Sequence, residues 1–483
     1  MIKQLEVDGV PAVLAPVTGE MHAGLVFRVG VADEPLVRRG VTHLIEHLVV
    51  HGLGDGGAHV NSTTGIEHTY FHVRGSAARI AAFLNGVCSA LRDLPAGRIA
   101  AEKDVLRSES AGRTPEPRSM WRHGARDYGM PSFSERGLTG LADEDLRAWI
   151  AAYFTRENAA LWVAGDEVPP GLRLDLPEGV RQPAPAPSSA LPVTPSWFAM
   201  PRLAVHSEEL AWDTVVRREA RAAVFANVLE RQLSRDLGCE VRTEYEPRAS
   251  RTARITAVVP TAGAGAIDGL TGVLASMRDG RIDASDVSTV VGLTCDALAE
   301  AEGRGRRLPG QAFNVLAGRG VRGVEEAIAE VRAITREDVA EVSAAAYGAG
   351  LLMAPAGTTT GPDGWTAAPG ASASAVSGRT HRARRNRSRR LVHGEDGVSL
   401  LDGDAIRTVR YDACAAVLAW PDGGRRLIGD DAIAVPVEPA LYRDGAAIVA
   451  EIDGRTPAGL RVTMPPRDPA GIPRPPRGWL RSD

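Results

Sequence analysis

Cysteine is scarce, and the four present, Cys88, Cys239, Cys295 and Cys414, are far apart with no CxxC pair. That spacing excludes a disulfide framework and a thiolate zinc site, so buried free thiols are expected. Long apolar runs are also missing. No stretch approaches the ~20 residues needed to cross a bilayer, and the opening MIKQLEVDGVPAVLAP lacks the basic start and apolar core of a secretory signal. It reads as a strand entering a sheet, with the cytoplasm as the expected location and no membrane partner. Aromatics make up only 5% of the chain, and the formal net charge of −4 is nearly balanced. No global attraction to nucleic acid or membrane follows from that charge. An abundance of Ala, Gly and Arg suits a GC-rich bacterial genome.

The chain has 483 residues, beyond the roughly 250 to 300 that one hydrophobic core supports, so several packed units are expected. Residues 1–168 read as an α+β unit. Strands come first, then a helix over 40–52, a hairpin over 58–74, helices over 77–93, 99–111 and 143–154, and an apolar strand over 159–164. A Pro-rich connector spans 169–195, with PAPAPSS at its centre. Residues 196–356 repeat the alternation, with a long helix over 213–237, strands over 240–260, and helices around Asp268, Asp283 and Val324. The stretch 357–391 is rich in Thr, Gly, Ala and Ser and ends in THRARRNRSRR. It reads as a solvated linker too poor in apolar surface to fold alone, although its seven arginines from Arg379 to Arg390 could attract a polyanion. A small, mostly β domain is expected over 392–483. GRGRRLPG, at 303–310, lacks the Lys-Ser/Thr ending of a phosphate loop and reads as a turn.

The chemistry is concentrated in Gly40-Val41-Thr42-His43-Leu44-Ile45-Glu46-His47. On a helix, histidines four apart stack on one face about one turn apart, so both can reach one ion. Glu46 projects toward the same open side, which is the position of a general base. A catalytic zinc usually takes three protein ligands, so one more donor is required. The segment AEKDVLRSE supplies Glu102 and Glu109 on one helical face. Glu109 can bind while Glu102 supports it, or the two can exchange roles. His51, His59, His68 and His72 read as polar positions around the cleft.

These segments resemble the M16 metallopeptidases, the inverzincins that include pitrilysin, insulin-degrading enzyme and the mitochondrial processing peptidase. The likeness covers residues 1–356 and rests on GVTHLIEHLVVHG, NSTTGIEHTYF, AEKDVLRSE and YFTRENAALWVAGD. The resemblance implies one Zn2+ on His43, His47 and Glu109, with Glu46 as base and Glu102 as an auxiliary catalytic glutamate. It also implies an edge strand at Ala58, His59, Val60 and Asn61, where a peptide substrate adds by backbone pairing. The expected activity is endopeptidase cleavage of short or unfolded peptides, leader or precursor peptides included. Active members also carry an Arg and a Tyr in the second unit, in a pattern like LRxxxGLxY. Here those positions hold Ser234 and Val241. The chain also has the length of a single-half (M16B-like) subunit, so a second M16-like subunit supplying the Arg/Tyr pair is the expected partner. A non-catalytic subunit of the same fold is the alternative, and nucleic acid is not an expected partner.

Overall fold

The computed structural model describes residues 2–53, 60–112, 116, 118–201, 208–249, 251–260, 263, 265–384 and 386–475. Ala58 and His59 lie outside the described residues. The first sheet contains β1 (Lys3–Val7), β2 (Val10–Ala15), β3 (His22–Phe27), β4 (Val60–Thr64), β5 (Thr69–Arg74) and β6 (Ala159–Ala164). Its order is β1-β2-β6-β3-β5-β4, which leaves β4 at an edge. Alternation along the strands sorts the faces. Leu25, Phe27, Phe71 and Val73 join the core under α1 (Val41–Val50) and α2 (Ala77–Arg92), while Val26, Ala160 and Trp162 point to the other face. Helices α3 (Ile99–Gly112), α4 (Ser119–His123) and α5 (Asp143–Tyr153) complete this unit.

The second sheet holds β7 (Ser196–Ala199), β8 (Leu210–Arg217), β9 (Arg242–Pro247), β10 (Thr252–Val259), β11 (Leu351–Ala354) and β12 (Thr366–Ala367). Its order, β12-β7-β11-β8-β10-β9, repeats that of the first over five strands, down to the parallel pairs β2–β6 and β7–β11, and differs at one edge, where β12 comes last and runs parallel to β7 while β1 comes first and runs antiparallel to β2. Helices α6 (Ala220–Leu237), α7 (Ala266–Arg278), α8 (Ala284–Gly303), α9 (Leu308–Leu316), α10 (Val324–Arg332) and α11 (Arg336–Gly348) accompany it. One expectation fails here, because Asp213 to Arg217 belong to β8 and not to the long helix. In LAWDTVVR the β-branched residues pair fully with β10, and the helix starts only at Ala220. GRGRRLPG is the turn from α8 into α9, and α9 packs Leu308, Ala312 and Phe313 onto the outer face of the first sheet.

The Pro-rich connector is more than a spacer, since Leu172, Leu174 and Leu176 are part of the first core. The Arg-rich stretch is likewise not an unfolded linker. Its strands β13 (Arg379–Ala383) and β14 (Asn386–His393) pair with β15 (Gly397–Asp402) and β16 (Ala405–Arg410) in a third sheet. Ala383 and Leu391 give the hairpin an apolar face that composition alone conceals. A fourth sheet, β19-β18-β17-β20, follows from β17 (Cys414–Ala419), β18 (Arg425–Gly429), β19 (Ala434–Val437) and β20 (Arg461–Thr463). Between β19 and β20 the otherwise β segment carries a helix, α12 (Gly445–Arg455), whose Ile448 and Ile452 share a core with both small sheets. Along β17, Val417 faces that core while Ala416 and Leu418 face Val31, Leu36 and Met130 of the first unit. Gly124 leaves no room for a side chain at this contact: a Cβ there would meet the Asp430 carbonyl oxygen at 2.0 Å. Of the four thiols, Cys239 is exposed and the other three are buried.

Buried polar groups tie the first unit to the second. Asp213, fully buried, accepts from Arg122 Nε at 2.8 Å through one oxygen and from Arg254 Nε at 2.9 Å through the other. Burial alone would raise its carboxyl, yet the charges of Arg122 and Arg254 outweigh that and hold it at about 2. Beside it, His123 is 2.7 Å from the Ser188 carbonyl through Nδ1 and 3.3 Å from Arg248 Nη1 through Nε2. This geometry suits a neutral ring that donates at Nδ1 and accepts at Nε2. Burial first, and then the charge of Arg248, push this imidazole down to about 3 from 6.5. The unfolded chain therefore takes up a proton below about pH 6.5 that the folded chain refuses until about pH 3. Through that window His123 removes up to about 1.4 kcal/mol of stability per pH unit as pH falls. Urea midpoints are expected to drop between about pH 7.5 and about pH 5, and less steeply in His123→Asn. Equal slopes for the two proteins would refute this assignment.

Candidate metal centre

Helix α1 is preceded by Gly40, whose φ of 103° is a left-handed conformation that favours glycine. Buried Glu34 caps it, with one oxygen accepting from Gly40 N and the other from Thr42 N, both at 2.9 Å. A carboxylate placed there complements the helix dipole, and Arg39 at 2.8 Å balances its charge. Val41, Leu44, Ile45, Leu48 and Val49 bury one face of the helix. His43 and His47 are turned away from that face, their rings 4.8 Å apart.

Helix α3 passes alongside and brings Glu109 Oε1 to 3.7 Å from His47 Nε2. Ligand atoms of His43, His47 and Glu109 lie within 4.8 Å of one another. They form the one group of three or more His, Cys, Asp or Glu among the described residues that could hold a metal ion. Two imidazoles and a carboxylate suit zinc, and also manganese or cobalt. Glu46 is buried on the same helix. Its two oxygens accept from the Ser62 hydroxyl at 2.6 Å and the Thr64 hydroxyl at 2.7 Å, both on β4. The side chain of Asn61 is exposed and takes part in neither bond.

Glu102 is buried behind His47, 3.5 Å from its Nδ1, and is also approached by His51 at 3.4 Å and Arg98 at 3.2 Å. Glu135, not foreseen from the sequence, holds His43 in the same manner, with Nδ1 at 3.0 Å from Oε1. Each histidine thus has a carboxylate behind Nδ1, an arrangement that fixes ring orientation and leaves Nε2 for a metal. Burial by itself would push the His43 imidazole down. The Glu135 hydrogen bond and the charges of Glu135, Glu46 and Glu109 overcome it and hold the ring above its ordinary range. Such a field attracts a cation. Glu135→Gln is expected to weaken zinc binding by about 10–100-fold, measured by competition with a chelating dye; unchanged affinity would remove Glu135 from the site.

The remaining histidines divide. Besides His51 near Glu102, His68 and His72 do not ring this cleft. They point to the opposite face of the sheet and line, with His22, Tyr70 and Trp162, a hollow of about 780 Å³. In the second unit, Ser234 Oγ accepts from Val241 N at 3.1 Å, and Val241 is buried. Neighbouring Arg235 is engaged by Asp286, Arg242 by Glu240 at 3.0 Å, and the Tyr245 hydroxyl donates to the Glu219 carbonyl at 3.4 Å.

No family model matches the sequence, and neither does any curated protein. Solved structures do. A protease from Helicobacter pylori superposes with a TM-score of 0.63 at 14% identity, covering 73% of this chain and 98% of its own. A peptidase M16 inactive domain from Pseudomonas fluorescens gives a TM-score of 0.60 at 12% identity, covering 75% and 99%. The periplasmic protease PqqL from Escherichia coli gives 0.58 at 12% identity, covering 83% of this chain but 55% of PqqL. With the repeated sheet order and the helix-borne histidine pair, these likenesses establish that the chain has the fold of the M16-type peptidases.

Proposed function

We propose that the chain is a zinc-dependent endopeptidase, with His43, His47 and Glu109 as ligands, acting on short or unfolded peptides such as leader segments. The observation that carries this reading is the convergence of those three donors beside buried Glu46. A zinc ion held there would supply Lewis-acid polarisation of a peptide carbonyl and a more acidic water. Glu46 accepts the proton of the attacking water and passes it to the leaving amine. Glu102 and Glu135 keep the two imidazoles oriented. The edge of β4, at Val60 and Asn61, has no strand partner among the described residues and receives the peptide backbone by strand addition. Residues 1–168, 196–356 and the segment beyond form three units in this reading. The exposed thiol of Cys239 suits a reducing, cytoplasmic setting.

A second M16-like subunit completes the enzyme. Ser234 and Val241 stand where an Arg and a Tyr would grip the substrate, and the arginines nearby are already engaged. The chain also spans about half of PqqL. The same positions favour the competing reading, a non-catalytic subunit. Metal content of wild type beside His47→Ala, with quenched-peptide hydrolysis and a chelator control, separates the two. Stoichiometric zinc and chelator-sensitive cleavage, both lost in the variant, are expected once the partner is present. Wild-type protein without metal would end the zinc reading, and zinc without cleavage in the assembled complex would favour the non-catalytic subunit.

A further inference from the structure

The third sheet takes no part in the metal centre, yet it carries the most concentrated charge in the molecule. Between Arg379 and Arg390 there are seven arginines and no carboxylate. The β13–β14 register sets Arg382 directly opposite Arg390, both exposed. Like charges in that position destabilise a hairpin. Among the described residues, Arg379, Arg382, Arg384 and Arg390 make no ion pair, while Arg389 approaches Asp402 at 4.0 Å. The two edges of the sheet also differ. Along β16, Ser372 N donates to the Ile406 carbonyl and the Ser374 carbonyl accepts from the Thr408 hydroxyl, both at 2.7 Å. Along the outer side of β13 no backbone partner is present among the described residues, and only the following Arg384 N is taken up, by the Leu441 carbonyl at 2.7 Å.

We propose that β13 is a docking edge for an acidic, extended segment of the substrate, and this rests on the peptidase reading above. An open strand edge offers N–H and C=O groups to another strand. Guanidinium forks bind carboxylates in bidentate fashion, and an acidic strand laid on β13 relieves the Arg382–Arg390 repulsion. Nucleic acid fits less well: residues 377–394 contain no Phe, Tyr or Trp on which bases could stack. Charge on an edge also protects against aggregation, but one or two residues suffice for that.

The test uses the full chain, zinc-loaded, and fluorescence anisotropy with a short labelled peptide of alternating Glu and Thr. A Lys/Thr peptide, an N-methylated Glu/Thr peptide and a single-stranded oligonucleotide are the comparisons. The Glu/Thr peptide is expected to bind, to weaken with salt, and to bind about tenfold less tightly to Arg382→Ala/Arg390→Ala. Arg382→Lys/Arg390→Lys, which keeps the charge and guards against misfolding, should retain part of the affinity. N-methylation should abolish binding. The proposal is overturned if the Glu/Thr peptide does not bind, if the Ala variant binds equally, if N-methylation has no effect, or if the oligonucleotide binds more tightly. Zinc content and cleavage of a neutral peptide, read on the same samples, report on the peptidase reading separately.

Discussion

Glu46→Gln is expected to keep its zinc and to lose peptide hydrolysis by about 10²–10⁴-fold. The substitution preserves shape. The remaining carbonyl oxygen can still accept from Ser62, and the new amide can donate to the Thr64 hydroxyl, so the 2.6 and 2.7 Å contacts survive with one donor reversed. What disappears is the ability to accept a proton from water. Metal content and turnover must therefore separate: zinc as in the wild type, with kcat collapsed. His47→Ala loses both together, because it removes a ligand. Hydrolysis within a few-fold of wild type in Glu46→Gln would place the base elsewhere.

Asp213→Asn is expected to cost about 3–5 kcal/mol, a large share of the 5–15 kcal/mol typical of a folded protein. The aspartate is buried between Arg122 of α4 and Arg254 of β10. The amide leaves the buried Arg122 guanidinium with carbonyl acceptors alone, and Arg254 with Glu116, at 3.7 Å, as its nearest remaining carboxylate. Replacing all three with apolar residues of similar volume should recover much of the loss, because the penalty lies in unpaired charge. Urea unfolding of the single and triple variants decides it. A single variant as stable as wild type would mean that water reaches the arginines.

What could be read from the sequence was local. The histidines of α1 share a face because of helical pitch, and the Glu102/Glu109 spacing put both glutamates beside them, Glu102 at 3.5 Å from His47 Nδ1. Glu135 escaped notice because its contact with His43 spans 92 residues, a separation at which no periodicity operates. Ser62 and Thr64 gave a faint signal: they alternate in NSTTG, so one strand face had to turn toward α1. The β8 strand was missed because LAWDTVVR does not alternate strictly and runs through Arg218 and Glu219 into α6 with no Gly, Pro or Asn between them. The Arg-rich hairpin was misjudged on composition, since its burial comes from a few residues, Ala383 and Leu391 among them, that meet a core assembled by later strands.

The placement of Ser62 and Thr64 has a consequence for how a peptide is selected. The strand whose outer edge has no partner among the described residues is the one whose side chains grip Glu46 from within. On the peptidase reading proposed above, a chain that settles fully along β4 would stiffen the support of Glu46 as base, and one that pairs poorly would leave that support loose. Discrimination among peptides should then register in kcat more than in KM, as when binding energy is used to align reacting groups. The edge strand would act as a latch, sensing the backbone of its guest and passing that information to a single carboxylate.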